Sequence, residues 1–253
     1  MTALALPSAT VMLVRDSPRF EVLMVRRHHQ IEFASGALVF PGGKVEPSDG
    51  DDEWSAHAFE GDGLLPAERA LRICAVREAF EESGILLARH ATDAAWEIGP
   101  RAAEGREAVA KGELAFRDLV ATLGLKLDLG ALVPFAHWIT PARMPKRFDT
   151  RFYLMTAPAD QLAACDGFET VDAEWVPPAE ALRLQQTGER TIVFPTRLNL
   201  RLLADSTSTA EALAIAAARP VVPIEPSVDR RPDGLWVSIP PDVGYGAVEP
   251  QKL

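Results

Sequence analysis

The chain has 253 residues, 47% of them hydrophobic, enough for one sizeable core, so one domain or one domain with a small appendage is expected. Its formal charge of -10 argues against a broad nucleic-acid or anionic-membrane surface, and nucleic acid is not an expected partner. Cys74 and Cys165, the only cysteines, make neither a disulfide framework nor a zinc cluster, and no apolar run is long enough to cross a bilayer; a cytoplasmic protein without membrane contact is expected.

Residues 9–14 (ATVMLV) and 21–27 (EVLMVRR) are rich in Val, Leu and Met, and Asp16, Ser17 and Pro18 between them predict a strand, a turn and a strand. GALVF at 36–40 predicts a third short strand, ended by PGG at 41–43. Residues 44–63 are polar, acidic and without periodicity, which predicts a loop. From Pro66 the pattern becomes helical: proline suits the first helical position, Glu68 the first turn, and Gly84 the residue just past the end. Residues 101–123 predict one or two helices broken near Gly112. Strands are expected at 131–140, 150–157 and 170–176, and helices at 177–186, 195–204 and 208–218. The remainder is rich in Pro and Gly with one strand-like piece, 235–239, and forms either a packed extension or an arm for a partner.

The helix ending at Gly84 carries the chemistry. Glu78, Glu81 and Glu82 stand at i, i+3 and i+4 and share one face, while Ile73, Val76 and Phe80 share the opposite one. Cys74 and Ala75 on the acid side are small and leave room for something to lie there. Like charges at this spacing cost a few tenths of a kcal/mol each, and Arg77, four residues before Glu81, offsets part of that. A solvated acidic face is one reading. A divalent-cation site is the other, because magnesium takes oxygen ligands from one or two carboxylates and a substrate phosphate, whereas zinc would want His or Cys.

GALVFPGGKVEP followed by REAFEESGI resembles the Nudix box: a glycine, five residues, a glutamate, seven residues, then Arg-Glu-aliphatic-x-Glu-Glu-x-Gly-aliphatic. Gly43 matches the first glycine, and Arg77, Glu78, Glu81, Glu82, Gly84 and Ile85 match the second half. Asp49 stands at the place of the early acid, followed by about twenty extra residues, so Glu46 or Glu68 are alternatives for that role; Ala79 is smaller than the usual aliphatic. The resemblance implies an α/β/α sandwich with a mixed sheet over residues 1–204, an insertion at about 50–66, and an added extension at 205–253. It also implies hydrolysis of a nucleoside diphosphate linked to another group, with Mg2+ or Mn2+ as cofactor. By position, Glu81 and Glu82 are metal ligands, Glu78 is a ligand or base, Arg77 orients the glutamates, and Gly43 offers its carbonyl to the metal. Glu81, with Glu78 and Arg77, is thereby a catalytic candidate. A distant acid serves as general base in many members, and Glu169, Asp172 and Glu174 are candidates here.

The long insertion, HWITPARMPKRFDTRFYLM (137–155) and EWVPPAEALRLQQTGERTIVFPTRLNLRLLA (174–204) resemble the acyl-CoA diphosphatase branch, which implies CoA or acyl-CoA as substrate. Glu32 replaces the second arginine of the CoA signature, so ADP-ribose, NADH and dinucleoside polyphosphates remain alternatives. Arg26 and Arg27 end a strand near the glycine turn and are candidate phosphate contacts, with solvated surface as the other reading. Arg147, Asp149 and Arg151 alternate, predicting one strand face that is either a phosphate clamp, with Asp149 holding both guanidiniums, or a salt-bridge network. Retention of all three box glutamates favours catalysis over a nucleotide-sensing module, and a homodimer is an expected assembly. The isomerase branch of the fold would require a cysteine set beside an isoprenoid diphosphate, and Cys74 has no such surroundings in the sequence.

Overall fold

The structure is a computed structural model that describes residues 3–27, 36–59, 63–90, 92, 100–159, 161–164 and 170–252, with only the backbone of Arg27, Pro100 and Val171. Glu32, Cys165 and Glu169 lie outside the described residues. Strand β1 (Ala5–Asp16) turns back into β2 (Phe20–Arg27), with Val14 opposite Val22 and Asp16 opposite Phe20. β3 (Leu38–Val39) adds to β2, and β4 (Gly42–Lys44) adds to β1. Single helical turns at 47–50 and 52–56 follow, then β5 (Ala58–Phe59) and helix α1 (Pro66–Ser83). Next come β6 (Ala88–His90), α2 (Pro100–Ala110), α3 (Phe116–Thr122), β7 (Leu125–Asp128), β8 (Val133–Ile139), β9 (Arg147–Thr156) and β10 (Thr170–Val176). Helices α4 (Pro178–Gln186), α5 (Phe194–Leu203) and α6 (Thr209–Ala218) precede β11 (Pro223–Ile224), β12 (Ser227–Arg231), β13 (Gly234–Ser238) and β14 (Gln251–Lys252).

The main sheet runs β10-β2-β1-β9-β8-β11, with β3 and β4 attached to β2 and β1. It is mixed: β1 lies parallel to β9 and β8 parallel to β11, and the other pairs are antiparallel. Period-two alternation divides its two faces. Ala9, Val11 and Leu13 join a core with Ile73, Val76 and Phe80 of α1, whereas Met12 and Val14 join a second core with Phe194, Leu198 and Leu203 of α5. The result is a helix/sheet/helix sandwich. No helix among the described residues is long and apolar enough to cross a membrane.

Three segments differ from the sequence reading. β1 starts at Ala5 rather than residue 9, because β9 offers a parallel ladder down to the Ala5–Arg147 pair. Residues 44–59 of the expected loop are packed: Trp54 is buried, its Nε1 donates to the Ser48 carbonyl at 2.9 Å, and its ring sits 5.7 Å from Phe116. β5 then joins β7 and β6 in a small sheet of its own. The C-terminal extension carries four strands rather than one: β11 extends the main sheet, and β12-β13-β14 form a separate antiparallel sheet. Val237 and Tyr245 bring that extension into the second core.

Candidate active site

Helix α1 begins with Pro66 and ends at Gly84, which adopts φ 74° and donates its N–H to the Phe80 carbonyl at 2.9 Å. An L side chain at Gly84 would be strained by that backbone. The helix is buried on both sides rather than on one. Cys74 and Ala75 are fully covered, and Arg77 and Glu82 are 3% and 2% exposed. What lies against the acid face is the chain's own glycine strand: the Cys74 Sγ contacts the Gly43 carbonyl at 3.6 Å, and the small side chains at 74 and 75 let β4 approach.

Arg77 organises the acids. It forms a two-pronged pair with Asp49, Nε to Oδ1 and Nη2 to Oδ2, both at 3.0 Å. Its Nη2 also donates to the Lys44 carbonyl at 3.0 Å, and its Nη1 donates to Glu78 at 3.0 Å and Glu81 at 3.3 Å. Glu82 accepts from the Gly42 amide at 3.0 Å. Gly43 passes so close to Glu78 that an added Cβ would come within 2.3 Å of its Oε1. The backbone end of the helix is held as well: Arg106 donates to the Glu81 carbonyl at 3.0 and 2.8 Å, and the Thr170 hydroxyl donates to the Glu82 carbonyl at 3.0 Å.

Burial shapes the charges here. It pushes the Asp49 and Glu81 carboxyls above their ordinary pKa, against the pull of Arg77 in both cases. Burial opposes the Arg77 charge too, but the hydrogen bonds and charges of Asp49 and Glu78 outweigh it and raise the guanidinium pKa. Burial, with Glu78 and Asp49 nearby, pushes the Cys74 thiol well up, which favours the neutral thiol against the Gly43 carbonyl.

Of the three candidates for the early acid, Asp49 is the one bound to Arg77. The Glu46 backbone N–H donates to Asp49 at 2.8 Å, which fixes the turn at 47–50. Glu68 instead accepts from Arg72 at 3.1 Å and from the Tyr153 hydroxyl at 3.0 Å. Among the distant acids, Asp172 pairs with Arg26 at 3.3 Å and Glu174 with Arg190 at 3.3 Å, both on β10. The Arg27 side chain and Glu169 lie outside the described residues. Asp149 does not hold two guanidiniums: it pairs with the buried His137. Arg147 donates to the Thr140 and Ala3 carbonyls and to Glu225 at 3.0, 2.9 and 3.0 Å, a structural tie into the C-terminal extension. Arg151 shares a strand face with Tyr153, on the side that carries α1. The sequence did not point to Arg106 or Thr170, which stand far from the box, whereas the Gly42 amide had a signal in the doubled glycine.

The acids supply only hard anionic oxygen, which suits Mg2+ or Mn2+ by donor type. In the arrangement described, Arg77 engages Glu78 and Glu81, and among the described residues no three His, Cys, Asp or Glu side chains close into a metal-holding group.

Comparison with known proteins gives a consistent answer. The family model described as the NUDT19 Nudix domain matches residues 55–203. The acyl-coenzyme A diphosphatase NUDT19 of Homo sapiens is 28% identical over 271 aligned positions, covering 89% of this chain and 72% of that protein. Its Xenopus laevis counterpart is 28% identical over 205 positions, covering 64% of this chain, so the chain spans 54% of that relative's length. A NUDIX hydrolase from Alicyclobacillus acidocaldarius, known from its crystal structure, aligns with a TM-score of 0.75 at 31% identity, covering 87% of this chain and 100% of that one.

Proposed function

The chain belongs to the Nudix hydrolase family, through the NUDT19 Nudix domain, and we propose that it cleaves the diphosphate of CoA or acyl-CoA into phosphopantetheine, or its acyl form, and adenosine 3′,5′-bisphosphate. The observation that carries the reading is the Arg77 cluster, which holds Asp49, Glu78 and Glu81 together while Glu82 is pinned on the Gly42 amide. The names of the human and Xenopus laevis relatives support the substrate class.

In this reading Glu78, Glu81 and Glu82, with the Gly43 carbonyl, hold Mg2+ or Mn2+. When bound, the ion supplies positive charge against the diphosphate oxygens and acidifies water. Arg77 is a positioning residue: anchored by Asp49, it holds Glu78 and Glu81 at fixed places on the helix face. Glu78 is a ligand or takes the proton of the attacking water, and Glu169, Asp172 or Glu174 are the alternatives for that proton. Arg26 and Arg151 contact the phosphates, while Arg147 serves the fold. Residues 1–204 form the hydrolase domain and 205–253 its extension; a cytoplasmic setting and a homodimer complete the proposal.

The test is a panel of CoA, acetyl-CoA, ADP-ribose, NADH and diadenosine polyphosphates with Mg2+ or Mn2+, with products read by mass. The expected result is release of adenosine 3′,5′-bisphosphate from the CoA compounds, faster than AMP from the others. Faster AMP release from ADP-ribose or NADH would replace the substrate. Tight binding of one compound without metal and without cleavage would replace catalysis by sensing.

A further inference from the structure

A cavity of about 460 Å³ lies on the face of the main sheet opposite α1, within the size range of small-molecule pockets. Gly42 lines it, and the same residue's amide binds Glu82, so the cavity begins where the acid cluster ends. Its walls are apolar, among them Phe40, Ile139, Met144, Phe152 and Ile192. One wall belongs to the C-terminal extension, through Pro226, Val228, Val237, Gln251 and Lys252.

Resting on the CoA reading above, we propose that this cavity takes the acyl-pantetheine half of the substrate, and that residues 223–252 set the length of acyl chain accepted. Charge decides which half enters. Among the described residues, Lys252 is the only charged one lining the cavity, and its amine already lies 3.7 Å from Asp233. A nucleoside carrying two phosphates would meet a single, shared cation there. A pantetheine arm brings uncharged atoms, and each buried methylene of its acyl group strengthens binding about fourfold at most. Met144, which also lines the cavity, is unbranched and adapts to chains of different length.

The experiment compares turnover of CoA, acetyl-CoA, hexanoyl-CoA and octanoyl-CoA, and measures binding of S-octanoyl-pantetheine, which has no diphosphate, by calorimetry. Wild type is expected to favour octanoyl-CoA over CoA at least tenfold in kcat/KM and to bind S-octanoyl-pantetheine. Val228→Trp, which fills the cavity from a half-buried position on β12, is expected to abolish binding of S-octanoyl-pantetheine and the preference for octanoyl-CoA, and to weaken CoA through a raised KM, because the pantetheine arm of CoA enters the same cavity. Met144→Trp repeats the test from a residue outside the C-terminal extension should the first variant fail to fold. Equal turnover of CoA and octanoyl-CoA, with no binding of S-octanoyl-pantetheine, would overturn the proposal and leave the diphosphatase reading standing. If no CoA compound is cleaved, that reading falls, and binding of S-octanoyl-pantetheine decides the cavity alone: present in wild type and lost in the variants upholds it, absent removes it.

Discussion

Asp49→Ala removes the anion that anchors Arg77 and leaves the rest of the site in place. Asp49 and Arg77 are 1% and 3% exposed, and two hydrogen bonds of 3.0 Å join them. Breaking a buried pair by removing one partner costs about 3–5 kcal/mol, because the remaining charge stays buried without its counterion. Here Arg77 keeps Glu78, Glu81 and the Lys44 carbonyl, which places the cost at the lower end, about 3 kcal/mol. For a chain of this size each kcal/mol lowers the melting temperature by about 2–4 °C, so a fall of roughly 6–12 °C is expected. Urea denaturation at pH 7, with a thermal melt alongside, measures it. The double variant Asp49→Leu, Arg77→Met removes both charges and is expected to be more stable than Asp49→Ala, though inactive. A loss below about 1 kcal/mol in Asp49→Ala, the worth of an exposed ion pair, would refute the claim that this pair holds the helix face together.

Gly43→Ala places a methyl group within 2.3 Å of the Glu78 carboxylate, so Glu78 must move; turnover is expected to fall at least about tenfold, with the protein still folded by circular dichroism. Unchanged turnover would show that the position of Glu78 is immaterial. Tyr245, whose hydroxyl donates to the buried Asn199, has its phenol pushed up to about 12 by burial. A pKa raised on folding stabilises fully below the unfolded value of about 10, and that contribution is lost as pH rises through about 12. The gap corresponds to about 3 kcal/mol. Subtracting the urea-denaturation profile of Tyr245→Phe from that of wild type is expected to give a difference that declines between those two pH values. A flat difference would mean that Tyr245 is not buried against Asn199.

The parts of this molecule that local rules govern could be read from its sequence. Pro66 and Gly84 bound α1 because each acts on its own backbone, and the spacing of Glu78, Glu81 and Glu82 placed them on one face before any partner was known. Gly112, with φ 70°, separates α2 from α3 in the same way. What covers that face was not readable. Cys74 and Ala75 announced a close neighbour, but the neighbour is β4, about thirty residues earlier in the chain, and no periodicity connects the two. Sequence left Asp49, Glu46 and Glu68 open for one role, since only three-dimensional distance separates the Asp49–Arg77 pair from the Glu68–Arg72 pair. Alternation correctly put Arg147, Asp149 and Arg151 on one strand face yet could not say that Asp149 would meet His137 across the ladder, or that Arg147 would reach Glu225. Strands of two to four residues, such as β5, β6, β7 and β14, are too short to show a period at all. They exist because neighbouring strands offer them unpaired backbone.

The central claim is that the acid face of α1 grips divalent ions. Electron paramagnetic resonance of free Mn2+ titrated with the protein measures that directly, for wild type and for Glu82→Gln, in which the Gly42 amide keeps an acceptor while one anionic ligand is lost. Saturable Mn2+ binding by wild type is expected, weakened at least about tenfold in the variant, with turnover falling in step. Equal Mn2+ affinity in both proteins, or full turnover by Glu82→Gln, would contradict it.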